Sequence, residues 1–438
     1  MPKTRVDLII EPTWLLPVAP RGVLREQAVA VANGSIVGVG HRDAIDAAFA
    51  TDNRQRLDGH VLLPGLINAH GHAAMVLFRG MAEDMPLDHW LRQRIWPLEA
   101  RWVTPEFVAD GVALALAEML KSGTTCFADM YFFPEQSAHA ARAAGMRAQV
   151  AFPLIDFANA WSKNAQEAFE KGLALHDEYR DDALIRVAFG PHSAYALALD
   201  ELKKVQMLAD EIDAPIHIHL HETAAEVAEA QRTHGVSHVE YLDRLGMLTP
   251  RLQAVHLTQL DDPDIELLAA GGVRAVHCPR SNLKLGSGMA DVLRLRAHGI
   301  EVGLGSDGAA ANNSLDLLGE ARTAALLAKA LRSDAAAMDA HDALELATLG
   351  SARALGIDAI TGSIETGKSA DLVAVDLMHP AAMPVHRPEA ALLHTTSGSH
   401  VRYVWIAGRA VLDAGRLTSL DERDILARAT RWAERLAS

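Results

Sequence analysis

Short apolar runs alternate with longer amphipathic segments along most of this chain. Val61-Leu62-Leu63 comes first, and Thr124–Asp129, Arg147–Phe152, Ile185–Phe189, Pro215–Leu220, Gln253–His256, Val273–His277 and Glu301–Gly305 follow. Runs this short, with β-branched and aromatic residues, predict strands buried on both faces. Between them the apolar spacing turns helical, over Ser137–Ala144, Ala165–Glu178, Leu199–Ile212, Ser237–Leu245, Asp262–Ala270 and Ala290–His298. A further helix runs from the cap-and-proline pair Thr104-Pro105 to Lys121, just before Gly123. Eight strands with helices between them predict an α/β fold of the TIM type, a (β/α)8 barrel with its active site at the C-terminal ends of the strands. The competing fold is an open doubly wound sheet, and no GxGxxG follows a first strand to support it.

The two chain ends read differently. Val6–Ile10 and Ala28–Val39 are β-like, with Asn33-Gly34 as a hairpin turn, and the first long helix is Asp43–Ala50. Leu372–Asp376, Val401–Ala407 and Arg409–Leu412 repeat that character, and Asp421–Leu436 is helical. The expected organisation is a small β domain built from residues 1–62 and 366–438, the latter carrying the terminal helix, around a barrel of residues 63–365.

Composition narrows the class. Of 438 residues, 50% are hydrophobic and 22% charged, as in globular proteins. A net charge of −15 argues against nucleic acid or an anionic membrane as partner. Only Cys126 and Cys278 occur, which suggests a reducing compartment without disulfides. Met1–Glu11 lacks an apolar core, and no run of 18 apolar residues exists, so the expectation is a cytoplasmic protein that neither spans nor crosses a membrane.

The predicted barrel gives the 21 histidines a meaning. In Pro64-Gly65-Leu66-Ile67-Asn68-Ala69-His70-Gly71-His72, two histidines two residues apart point to one face of a strand. The fourth strand ends in Gly190-Pro191-His192 and the fifth carries His217-Ile218-His219-Leu220-His221-Glu222. The sixth ends at His256 and the eighth in Gly305-Ser306-Asp307-Gly308. Five strands thus deliver imidazole or carboxylate to one rim. Those are the ligands of a hydrolytic zinc or iron site with a position left open for water.

These motifs resemble the amidohydrolase superfamily. Phe189-Gly190-Pro191-His192-Ser193, Ile218-His219-Leu220-His221-Glu222-Thr223 and Ser281-Asn282-Leu283-Lys284-Leu285-Gly286, with Gly305-Ser306-Asp307-Gly308, are similar to the 5′-methylthioadenosine/S-adenosylhomocysteine deaminases, within the wider triazine hydrolase-like cluster. The resemblance implies a zinc-dependent aminohydrolase acting on a cyclic amidine C–N bond. It implies His70, His72, His219 and Asp307 as metal ligands, Glu222 as proton shuttle, and His256 facing the attacking water. Glu99 matches a ribose-binding position and His192 another substrate contact, with Glu222 and Asp307 at the purine edge. Without the resemblance, Glu99 reads equally well as a carboxylate in a first helical turn. One ion per chain is expected, zinc with iron(II) as the alternative, because Ile185–His192 lacks the lysine that bridges two metals in dinuclear relatives. His217 and His221 read as packing or supporting residues, and His176, His234, His238, His298 and His341 as ordinary.

The implied substrate is a small nucleoside, 5′-methylthioadenosine, with S-adenosylhomocysteine or adenosine also in range, and the implied assembly is a homo-oligomer. The alternatives are another amino- or chloro-substituted heterocycle, such as guanine, a pterin or an s-triazine, and a metal-free scaffold. Two features depart from the family. Only Arg180 occurs between Gln149 and Ile185, where relatives place two arginines, and Ala311 stands where they carry serine. Arg79, Arg101 and Arg280 are candidates to replace the missing cations.

Overall fold

The computed structural model describes residues 3–437. Eight parallel strands pair in sequence order: Leu66–Gly71, Thr124–Met130, Arg147–Leu154, Ile185–Pro191, Ile216–Leu220, Leu252–His256, Arg274–His277 and Val302–Leu304. Helices intervene, and the last strand closes on the first where the Asp307 N–H donates to the His70 carbonyl at 3.0 Å. Gly305 permits that closure. A Cβ there would stand 2.8 Å from the His70 Cβ, so any other residue would push the ring of His70 out of place. The strands are buried on both faces, as their unbroken apolar runs require.

A second sheet of eight strands carries both chain ends. Leu372–Asp376 lies antiparallel to Arg54–Pro64, with Leu62 opposite Ala374, and so joins the C-terminal strands to the N-terminal ones. Its faces divide cleanly. Val373 and Val375 belong to the main core, whereas Leu372 and Ala374 pack with Leu8, Ile10 and Trp405. The Val61–Leu63 run, expected to open the barrel, therefore belongs to this second sheet. Pro64-Gly65 breaks the chain there, and the barrel strand starts only at Leu66. The first helix is Arg42–Ala48, and Phe49–Ala50 is extended instead of helical.

The helix Pro105–Lys121 is capped as its sequence indicates, Thr104 Oγ1 accepting the Phe107 N–H at 3.2 Å. The terminal helix Glu422–Leu436 docks on it through Trp432, whose indole N–H donates to Asp110 at 2.8 Å. Among the described residues, no helix is long and apolar enough to cross a membrane.

Candidate active site

The rim at the C-terminal ends of the barrel strands collects the side chains singled out above. His70 is fully buried at the end of the first strand. Its Nδ1 lies 2.8 Å from Nε2 of His217, whose own Nδ1 lies 2.8 Å from Oε1 of Gln253. Gln253 in turn exchanges side-chain amide hydrogen bonds with Gln149 across the barrel interior. This relay fixes the His70 ring and leaves its Nε2 buried with no hydrogen-bond partner among the described residues. His72 is tied in the same way, Nδ1 against the Met130 carbonyl at 2.5 Å, and His219 by Nδ1 against the His192 carbonyl at 2.6 Å. With every Nδ1 engaged, the three remaining ring nitrogens converge, and the ligand atoms of His70, His72 and His219 lie within 4.8 Å of one another.

Asp307 completes the group. Its Oδ1 stands 3.3 Å from His72 Nε2 and 3.6 Å from His70 Nε2, while Oδ2 accepts the Ser281 hydroxyl at 2.6 Å. The residue adopts φ +58°, and its own Oδ1 accepts the Gly308 N–H at 2.7 Å. The electrostatics favour a cation. Burial works to lower His72, yet the hydrogen bond and charge of Asp307 lift it to about 9. Burial and neighbouring rings hold His219 well below its ordinary value, as burial does for His70, so both offer free lone pairs. Three imidazoles, the unpartnered Nε2 of His70 among them, and one carboxylate are a fitting donor set for a divalent ion with an open position.

His217 thus touches one of these imidazoles without joining the donor set. Replacing a partner of that kind typically costs 10–100-fold in metal affinity. His217→Phe is expected to weaken binding by roughly that factor in a chelator competition. An unchanged dissociation constant would rule out this supporting role.

Beside the donor set, Glu222 and His256 face each other, His256 Nε2 standing 3.7 Å from Glu222 Oε2. Asn282 Oδ1 orients His256 through Nδ1 at 2.8 Å. Burial pushes the Glu222 carboxyl up to about 7; the charge of His256 works against that, and Asp307 and Glu226 reinforce it. His192 packs its ring 4.7 Å from that of His219, and burial lowers it to about 4. Glu99, on the helix Trp96–Trp102, lines the same cavity and is raised by burial to about 7, with Tyr131 and His72 opposing.

The cavity that these groups share measures about 280 Å³. Away from the imidazoles its wall is apolar, built from Leu87, Trp90, Leu91, Ile95 and Trp96 on one side and Phe132, Ile155 and Phe157 on the other. Among the described residues, no lysine or arginine lines it. The three arginines suggested as replacements are engaged elsewhere. Arg79 pairs with Glu118, Arg280 approaches Glu320 at 3.8 Å, and Arg101 lies 4.6 Å over the Trp102 ring. Arg180 pairs with Asp177 and borders a larger cavity of about 600 Å³, which opens at the N-terminal ends of the strands. That cavity holds none of the converging histidines.

Several contributors were not visible in the sequence. The wall over Leu87–Trp96 was not expected, because its helix passes through a wide turn at Leu91–Ile95 that blurs the spacing. Tyr131 carries no local signal of a site residue, and Ser281 enters the sequence reading only within the Ser281–Gly286 motif. His221 leaves the site altogether: at φ +52° its ring turns to the Gln259 carbonyl at 2.8 Å. His238 is not ordinary, being buried with Nδ1 3.3 Å from Glu226.

A parallel β/α barrel with imidazoles and carboxylates gathered on its C-terminal rim is the architecture of a hydrolase site. The chain belongs to the amidohydrolase family, which it matches over residues 61–411. It is 45% identical over 436 residues, 99% of each chain, to the 5-methylthioadenosine/S-adenosylhomocysteine deaminase of Teredinibacter turnerae. The protein of that name from Saccharophagus degradans is 46% identical over 98% of this chain and 97% of its own. A solved adenosine deaminase from Xanthomonas campestris with bound zinc is 45% identical, superposes with a TM-score of 0.98 and is covered over the full length of both chains.

Proposed function

We propose that the chain is a hydrolytic deaminase of adenine nucleosides, with 5′-methylthioadenosine its preferred substrate, holding one zinc ion at His70, His72, His219 and Asp307. The carrying observation is the shared cavity. One end gathers the donor set with Glu222 and His256, and the other is apolar and free of cations. Zinc in the Xanthomonas deaminase supports the choice of ion. A single ion fits the absence of lysine from Ile185–Pro191.

When bound, the ion supplies Lewis acidity that brings the pKa of a water down to roughly 7. With the ion held by His70, His72, His219 and Asp307, a carboxylate oxygen of Asp307 would accept a proton from the attacking water. His256, held by Asn282, faces the developing negative charge. Glu222 has a carboxyl poised near neutrality, and it donates a proton to the ring nitrogen next to the amine-bearing carbon. As the C–O bond forms, Asp307 passes its proton to the amine nitrogen. The C–N bond breaks, ammonia departs, and Glu222 recovers the proton of the added hydroxyl, which leaves the inosine-type product. Glu99 accepts from the ribose hydroxyls, and His192 packs beside the purine.

The apolar wall sets the tail preference. A methylthio group gains from burial against Leu87, Trp90 and Phe157, whereas the zwitterionic tail of S-adenosylhomocysteine finds no arginine there. A missing charge-assisted contact is worth ~1.5–3 kcal/mol. The expected kcat/KM for 5′-methylthioadenosine is therefore roughly tenfold to a hundredfold above that for S-adenosylhomocysteine. Ammonia release measured on both, alongside adenosine, guanine and an s-triazine, tests the reading. Turnover of a non-nucleoside alone would discard it, and equal efficiencies on the two nucleosides would discard the tail preference.

A further inference from the structure

Glu222 sits on a short link between the fifth barrel strand and the helix Ala224–His234, and the chain enters that link through His221 in the left-handed region. A non-glycine residue holds that conformation only when its surroundings fix it. The fixing comes from Glu226. Thr223 caps the helix, its Oγ1 accepting the Glu226 N–H at 3.2 Å. The Glu226 carboxylate reaches back past the cap: Oε1 accepts the His221 N–H at 3.0 Å and Oε2 the Glu222 N–H at 2.8 Å. In an ordinary capping box the returning carboxylate satisfies the cap residue's own N–H. Here both accepted N–H groups lie before the cap, on Glu222 and its neighbour.

Glu226 is itself held. Its side chain is 8% exposed, and His238 Nδ1 lies 3.3 Å from Oε1. Hydrogen bonds from His238 and from the Glu222 backbone keep its carboxyl below the usual range even though burial works the other way. The Glu222 carboxyl, by contrast, receives among the described residues one long hydrogen bond, from Ser287 at 3.3 Å. Its aim over the cavity depends on the backbone that carries it, and Thr258 is the other side chain that grips this backbone, its Oγ1 donating to the Glu222 carbonyl at 2.7 Å.

We propose that Glu226 is a positioning residue for the reaction: its two oxygens hold the His221 and Glu222 amides so that the Glu222 carboxyl points at His256 and the substrate. This rests on the deaminase reading above. A misplacement near 1 Å costs about 10²-fold in rate, so Glu226→Ala is expected to lower kcat roughly 10–100-fold. KM should change by less than about threefold, because ground-state contacts are untouched, and metal content should stay at the wild-type value. Glu226→Gln keeps one acceptor oxygen for the two N–H groups and should fall between wild type and Glu226→Ala. Glu229→Gln, on the exposed face of the same helix, should match wild type. Hydrogen exchange of the His221 and Glu222 amides should accelerate in Glu226→Ala and not in Glu229→Gln. A kcat for Glu226→Ala within about twofold of wild type, or a joint loss of kcat, metal and thermal stability, overturns the proposal. If wild type deaminates no adenine nucleoside, the functional reading fails first. The exchange measurement then decides alone, and unchanged amide protection in Glu226→Ala overturns the positioning role.

Discussion

Glu222→Gln is expected to retain its metal and its substrate affinity and to lose about 10²–10⁴-fold in kcat, the usual contribution of a positioned proton donor. The substitution preserves shape and the hydrogen bond from Ser287, so the cavity should not rearrange. It removes the one property that matters, a carboxyl raised by burial to about 7 and therefore able to give up a proton near neutrality. Glutamine has no such proton. Because the interaction is made only as the ring nitrogen gains charge, the loss should fall on kcat and leave KM nearly unchanged. Steady-state kinetics with elemental analysis of the same preparation check this. Near-wild-type turnover in a fully loaded variant would take Glu222 out of the mechanism.

Much of this site could be read from strand ends alone. Each barrel strand is a short apolar run, so polar residues at or just past its C-terminal end fall on the rim, and His70, His192, His219, His256 and Asp307 all lie there. Asp307 and His256 both take positive φ, which puts their side chains over the mouth of the barrel and could not be inferred from spacing. Glu99 carried no local signal, since an acidic residue in a first helical turn is commonplace. Its place became visible only through the family resemblance. The second sheet was harder to bound. Val61–Leu63 is as apolar as any barrel strand because it too is covered on both faces, and periodicity cannot separate two buried strands. The two glutamines behind His217, Gln149 and Gln253, were equally hidden. Those residues meet across the barrel, 104 positions apart for the glutamine pair, and only the closed sheet brings them together.

Removal of the ion should abolish turnover, and its return should restore it. The three ring nitrogens and the Asp307 carboxylate are aimed inward by groups that bind their other atoms: His217, Met130, His192 and Ser281. Such preorganisation favours the loaded protein, and it aims His70 Nε2, which has no hydrogen-bond partner among the described residues, at the ion. A chelated preparation should therefore lose activity completely and also melt at a lower temperature, since an ion that binds only the folded state stabilises it by about 2.7 kcal/mol at a hundred times its dissociation constant. His219→Ala should reproduce both effects, because it deletes a donor without touching Glu222 or His256. Elemental analysis should find one zinc per chain. A stoichiometry near two would require a second donor set that the fourth strand, without a lysine, does not offer, and iron in place of zinc would correct the ion while leaving the ligands. Full activity after exhaustive chelation, with no residual metal, would refute the ligand assignment itself.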